Sequence, residues 1–209
     1  MGLDAHEIEG IAKGIYGEAR EDVDDPPGTV TLARRILGQD AVRPAFIDNM
    51  VGDAMLVREW DRWIIVVRRR LTFERLNWVV GHELGEWALR RDGYEEDDRE
   101  TIANGVAGAL AMPQTIFARM FRANGFDLSW MAAEFIVPEG AVALRVGEVV
   151  GEPVALVTPK RIHRRDEHNE LPANDDLRRL SRQTLDAWHP VTAVRCRDAA
   201  NTYAFRLSA

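Results

Sequence analysis

Along residues 4–20 the apolar side chains fall at Ile8, Ile11, Ala12, Ile15 and Ala19, the spacing that gathers them on one face of a helix. The acidic stretch 21–25 and the Pro26-Pro27 pair end that pattern. A second helix is expected over 29–37. The period then changes: 53–58 and 62–68 are rich in apolar and β-branched side chains around the turn-prone Trp60-Asp61-Arg62, which predicts a hairpin. Its buried strand would carry Ile64, Ile65, Val66 and Val67. Over 72–90 the helical period returns, opening on Thr72, a good N-cap, with Phe73, Leu76, Val80, Leu84 and Trp87 on one side. Another helix should start at Asp97 or Asp98, whose carboxylates suit a helix N-terminus, and run to Ala111 before Pro113. Helices at 114–123, 127–135 and 138–148, strands at 153–158, 191–197 and 201–207, and a polar helix at 175–187 complete the reading. No repeat or low-complexity tract interrupts it.

Composition narrows the class. The chain has 209 residues, 46% hydrophobic and 29% charged, the balance of a globular protein with room for a core and a small appendage. Its longest aliphatic run, Ile64 to Val67, is far short of the roughly 18 apolar residues of a membrane span. The start Met1-Gly2-Leu3-Asp4-Ala5-His6-Glu7 lacks the basic and apolar regions of a signal peptide, and His6 breaks the Gly2 lipidation motif. The single cysteine, Cys196, has no internal partner for a disulfide, so a cytoplasmic location is expected, with no membrane partner. A net charge of -7 argues against salt-driven DNA binding by the whole surface. Lys160, Arg161, Arg164 and Arg165, followed by Arg178, Arg179 and Arg182, are interleaved with Asp166, Glu167, Asp175 and Asp176 and read as a solvated face.

The candidate chemistry lies in Gly81-His82-Glu83-Leu84-Gly85-Glu86-Trp87. His82 and Glu86, four residues apart on a helix, project from one face and can grip one metal ion. Glu83 is angled away from that pair, where a carboxylate can accept a proton from an ion-activated water. A third ligand must come from elsewhere, and the next helix offers Glu100, with Asn104 one turn on to hold the His82 imidazole. These polar groups sit between Trp78-Val79-Val80 and Trp87-Ala88-Leu89, where burying them is costly without a cation or partners. The competing reading is a salt-bridged surface helix.

Residues 71–113, with the His-Glu-Leu-Gly core, Glu100-Thr101-Ile102-Ala103-Asn104 and Leu110-Ala111-Met112-Pro113, resemble the ImmA/IrrE family of bacterial and phage metallopeptidases. In that family the first helix carries His-Glu-x-x-His, and a Glu three residues before an Ala-Asn pair supplies the next ligand. His82, Glu83 and Glu100 match position by position. A weaker likeness continues through Asp127-Leu-Ser-Trp-Met-Ala-Ala-Glu-Phe and 137–145 as a helical pair. The resemblance implies an α+β fold: a mainly helical zincin-like core with a small antiparallel sheet over 1–125, a helical pair resembling a helix-turn-helix over 126–150, and a C-terminal α+β extension over 151–209. It also implies an intracellular metal-dependent endopeptidase that cleaves a helix-turn-helix repressor. Glu83 would be the general base, and His82, Glu86 and Glu100 would hold zinc, or alternatively manganese. Glu86 departs from the family, which usually has its second histidine there. A His/Glu/Glu set carries more negative charge, makes the ion a poorer Lewis acid and favours harder ions. The alternative is therefore a non-catalytic regulatory protein that keeps the fold and binds a partner.

Other residues carry less. His163 and His168 flank a polar stretch expected to be an exposed loop, and His189 precedes Pro190 in a turn. His6 and Glu7 repeat the motif's start, but Gly10 denies them a second ligand, which leaves a helix-surface pair. Trp78, Trp87 and Trp130 are expected in the core. The second helix of the 127–148 pair offers only Arg145 as a basic residue, so packing or partner binding is expected there and direct DNA binding is not. Tyr94, Tyr203 and His163 are the types that could stabilise an oxyanion, and spacing selects none of them.

Overall fold

The computed structural model of the chain describes residues 3–45, 50, 52–94, 96–165, 171–180, 191–197 and 202–207. These form two compact units, Met1–Ile116 with Phe135–Val137, and Phe117–Glu134 with Pro138–Ala209.

The first unit opens with α1 (Ala5–Ala19). Asp4 and Glu7 close a capping box at its N-terminus, each side chain accepting the other's backbone N–H at 2.8 Å. Its buried face is Ala12, Ile15, Tyr16 and Ala19, and the Tyr16 hydroxyl donates to the Leu110 carbonyl. Burial pushes that phenol's pKa up, with the Glu9 charge adding to the shift. Helix α2 (Thr29–Leu37) has Gly28 as N-cap and no side-chain cap of its own. Asn77 of α3 (Phe73–Arg91) caps it instead: its Oδ1 accepts from Thr29 N at 2.8 Å, while its Nδ2 donates to the Ile136 carbonyl at 3.1 Å. Thr72 caps α3 through Arg75 N, as its sequence position predicts.

The hairpin is present as β2 (Ala54–Glu59) and β3 (Arg62–Val67), paired antiparallel from Ala54↔Val67 to Glu59↔Arg62. A short strand the sequence pattern does not reveal, β1 (Val42–Pro44), adds to β3 in parallel, giving the order β1-β3-β2. Three residues are too few for a period to show. Helix α4 (Glu96–Ala111) starts one residue before Asp97, and Ile102, Ala103, Val106, Ala109 and Leu110 close the core against α1 and α3. Phe73, expected on the buried stripe, is instead 80% exposed, because it is the first residue of α3 and projects before the helix meets its neighbours.

Helix α5 (Gln114–Asn124) begins where expected and α6 (Leu128–Phe135) one residue later than expected, both lying mostly in the second unit, and α7 (Glu139–Val149) follows Pro138. β4 (Val154–Val157), β5 (Ile162–Arg165), β6 (Val191–Arg195) and β7 (Tyr203–Leu207) form an antiparallel sheet of order β5-β4-β7-β6. Leu156 meets Gly140 of α7, whereas Ala155 and Val157 pack with Leu177 of α8 (Asn174–Leu180) and with Phe205. Alternation along β4 thus turns one face to α7 and the other to α8.

Two expectations for this unit are corrected. Residues 162–165, read as an exposed loop, form β5: His163 is exposed as predicted, but Arg164 donates to the Leu171 and Pro172 carbonyls and Arg165 pairs with Glu148 at 3.0 Å. Strand hydrogen bonds and two anchored guanidiniums hold a polar segment that apolar patterning could not reveal. Trp130 is 38% exposed instead of buried, because α6 is amphipathic and only Leu128, Met131, Ala132 and Phe135 face inward. His168, His189 and the end of the 175–187 helix lie outside the described residues.

Arg145, the one basic residue of the second helix in the expected helix-turn-helix, is 2% exposed and pairs with Glu148 at 3.4 Å. It faces the protein interior. No helix among the described residues is long and apolar enough to cross a membrane.

Candidate metal centre

Two glycines let the helices of the site approach. A Cβ on Gly85 would stand 3.1 Å from Val106 Cβ and 3.2 Å from the Ala103 carbonyl oxygen, and one on Gly81 would stand 3.5 Å from Ala107 Cα. With hydrogen at both positions, α3 and α4 pack nearly backbone to backbone. The neighbouring positions 82 and 86 on α3 then face 100 and 104 on α4.

The side chains converge accordingly. One donor atom each from His82, Glu86 and Glu100 lies within 4.8 Å of the others. His82 Nε2 and Glu100 Oε2 are 3.5 Å apart, and two ligands about 2.1 Å from a tetrahedral ion stand roughly 3.4 Å from each other. The residues present therefore fit a divalent cation in donor type and in spacing. The His82 and Glu86 side chains are 15% and 11% exposed, whereas Glu100 is 75% exposed, so the group is walled by protein on one side and open on the other.

Asn104 lies one turn after Glu100 on α4, beside the His82 ring. Its Nδ2 donates to the Glu100 carbonyl at 2.8 Å, which turns Oδ1 towards His82 Nδ1 at 3.2 Å. With an acceptor at Nδ1, a neutral imidazole carries its proton on that nitrogen and leaves Nε2, the nitrogen nearer Glu100, as the metal-donor atom. Glu83 points elsewhere, as its helix position requires. It is 9% exposed and accepts the backbone N–H of Leu56 in β2. Burial is the main cause that raises its pKa and the Glu86 charge adds to it, while His82, the Leu56 N–H and Arg90 oppose the shift.

Sequence reasoning passed over two arginines. Arg90 holds Glu86 Oε2 through Nε at 3.1 Å and through its NH2 nitrogen at 3.0 Å, and Arg99 Nε stands 3.9 Å from the same oxygen. The first was legible, since Arg90 follows Glu86 by four residues on one helix. The second depends on how α4 packs. Of the oxyanion candidates, Tyr94 packs against the first unit's core and its carbonyl accepts from Arg99 at 3.2 Å, while His163 and Tyr203 belong to β5 and β7 of the second unit.

A helix bearing His82 and Glu83, a neighbouring helix bearing Glu100, and a small sheet beside the first of these define a mainly helical α+β core of the zincin-like class. Residues 42–146 match the peptidase family described as the IrrE N-terminal-like domain, and the chain belongs to that family. Its fold is similar to that of a Mycobacterium tuberculosis transcriptional regulator, with a TM-score of 0.58 and 16% identity, over 97% of this chain and 75% of that one. No curated protein matches the chain in sequence.

Proposed function

We propose that the chain is a metal-dependent endopeptidase of the cytoplasm whose substrate is a helix-turn-helix repressor. The observation that carries this reading is the convergence of His82, Glu86 and Glu100 within 4.8 Å, beside the buried carboxylate of Glu83. A divalent cation held there, zinc or alternatively manganese, supplies Lewis-acid polarisation of a peptide carbonyl and of water. Asn104 keeps the His82 imidazole in the tautomer that leaves Nε2 free as a donor. Glu83 is the general base: its raised proton affinity suits it to take a proton from water and deliver it to the leaving amine. The exposed side of the group, at Glu100, is where an extended peptide enters. Likeness of fold to a transcriptional regulator supports a place in gene control.

A second reading has one observation in its favour. Arg90 and Arg99 already satisfy part of the Glu86 carboxylate, as in a structural ion pair, which suits a non-catalytic protein that acts by binding a partner. Metal content of the purified protein separates the two. The peptidase reading expects near-stoichiometric metal in the wild type, none in His82→Ala, and in Glu83→Gln full metal with no cleavage across a panel of helix-turn-helix repressors. Metal-free wild type under all loading conditions ends it.

A further inference from the structure

Glu86 is held in a way that a simple ligand does not require. Its Oε2 takes two nitrogens of Arg90, at 3.0 and 3.1 Å, with Arg99 at 3.9 Å, while its side chain is only 11% exposed. The Arg90 guanidinium carbon also lies 6.0 Å from the centroid of the Trp63 ring of β3, at the edge of cation–π range. A carboxylate with one oxygen saturated offers a cation the other oxygen alone. The guanidinium also cancels the charge Glu86 would add, so His82, Glu86 and Glu100 with Arg90 carry the net charge of a site with one anionic ligand.

We infer that Arg90 is a metal-specificity residue, which confines Glu86 to binding through one oxygen and so favours zinc over manganese. The inference rests on the reading that His82, Glu86 and Glu100 hold a cation. Zinc is satisfied by few ligands in a tetrahedron, whereas manganese takes more oxygen donors and gains more from a free, fully charged carboxylate that can bind through both oxygens. Removing Arg90 therefore helps manganese more than zinc. That difference needs Glu86: with a neutral histidine at the position, loss of the arginine charge acts alike on either divalent ion.

The test uses the full chain, stripped by chelator, with zinc and manganese affinities measured by competition against chromophoric chelators. The proteins are the wild type, Arg90→Met, Arg90→Lys, Glu86→His and the Glu86→His/Arg90→Met double variant. Arg90 lies at the surface, 39% exposed, so its replacement leaves the core intact, and circular dichroism checks this. The expected result is a shift of the zinc-to-manganese affinity ratio towards manganese by about tenfold in Arg90→Met, the low end for removal of an outer partner of a ligand. In the Glu86→His background the same change moves the ratio less than about twofold, and Arg90→Lys stays near the wild type. Equal shifts in both backgrounds, no shift with Glu86 present, or Arg90→Lys behaving as Arg90→Met overturns the inference alone. A wild type that binds neither ion overturns the metal reading as well.

Discussion

The Asn104 carboxamide bridges two proposed ligands: its Oδ1 is 3.2 Å from His82 Nδ1, and its Nδ2 donates at 2.8 Å to the backbone carbonyl of Glu100, one turn earlier on α4. The imidazole on one helix is thus oriented by the helix that provides the opposing carboxylate. Partners of this kind commonly contribute on the order of 10–100-fold to metal affinity. Asn104→Ala should weaken zinc binding by that order while leaving thermal stability of the metal-free protein within about 1 kcal/mol. Competitive zinc titration and a thermal melt of the stripped protein check this, and unchanged zinc affinity would show that the bond orients nothing of consequence.

Glu83 makes a pH-dependent prediction for the metal-free chain. Its folded pKa is raised, chiefly by burial, so its contribution to stability is complete below the unfolded value near 4.3 and is lost as pH rises through the folded value. Glu83→Gln removes the charge that burial penalises. Stability of this variant relative to the wild type should therefore increase as pH rises above about 4 and level off once pH passes the raised folded value. Urea midpoints across that range report it; a difference independent of pH contradicts the assigned environment.

Gly85 separates helix propensity from packing. Alanine is favoured over glycine in a helix by about 1 kcal/mol, but here its methyl would meet Val106 Cβ at 3.1 Å and the Ala103 carbonyl oxygen at 3.2 Å. Overpacking typically costs about 1–3 kcal/mol, and a backbone oxygen has little freedom to withdraw. Gly85→Ala should destabilise the protein by about 1 kcal/mol and weaken zinc binding, because α3 and α4 must part and the His82 to Glu100 spacing with them. Chemical denaturation and zinc titration measure the two effects, and a stabilised variant with native affinity refutes the close-packing account.

Asn77 links α3 to the start of α2 and to residue 136 through a buried carboxamide. Asn77→Ala leaves Thr29 N and the Ile136 carbonyl without this partner, at about 1–3 kcal/mol for each group left unsatisfied. A loss of at least about 2 kcal/mol in denaturant titration is expected, and a change under about 0.5 kcal/mol would mean that water replaces the amide at no cost.

Much of the fold was legible because its periods are strong and its ends are marked. Helix α2 spans 29–37 as read, Thr72 caps α3, and the hairpin lies around Trp60-Asp61. What escaped is short or polar. β1 has three residues and exists only through its pairing with β3, and β5 is a polar strand held by β4 and by the anchored side chains of Arg164 and Arg165. Phe73 and Trp130 were misplaced because hydrophobicity alone does not tell which side of a helix end or short amphipathic helix meets a neighbour.

By itself the sequence determined that His82 and Glu86 share a helix face with Glu83 turned aside, because 3.6 residues per turn fixes those directions wherever the helix packs. Only the tertiary structure decided that α3 and α4 lie close enough at Gly81 and Gly85 to bring Glu100 and Asn104 to that face. It also decided that Arg99 reaches Glu86 from α4 and that Trp63 of β3 comes within cation–π range of Arg90. These are relationships between separate elements, set by side-chain volumes and backbone approach across the core, and no local period encodes them.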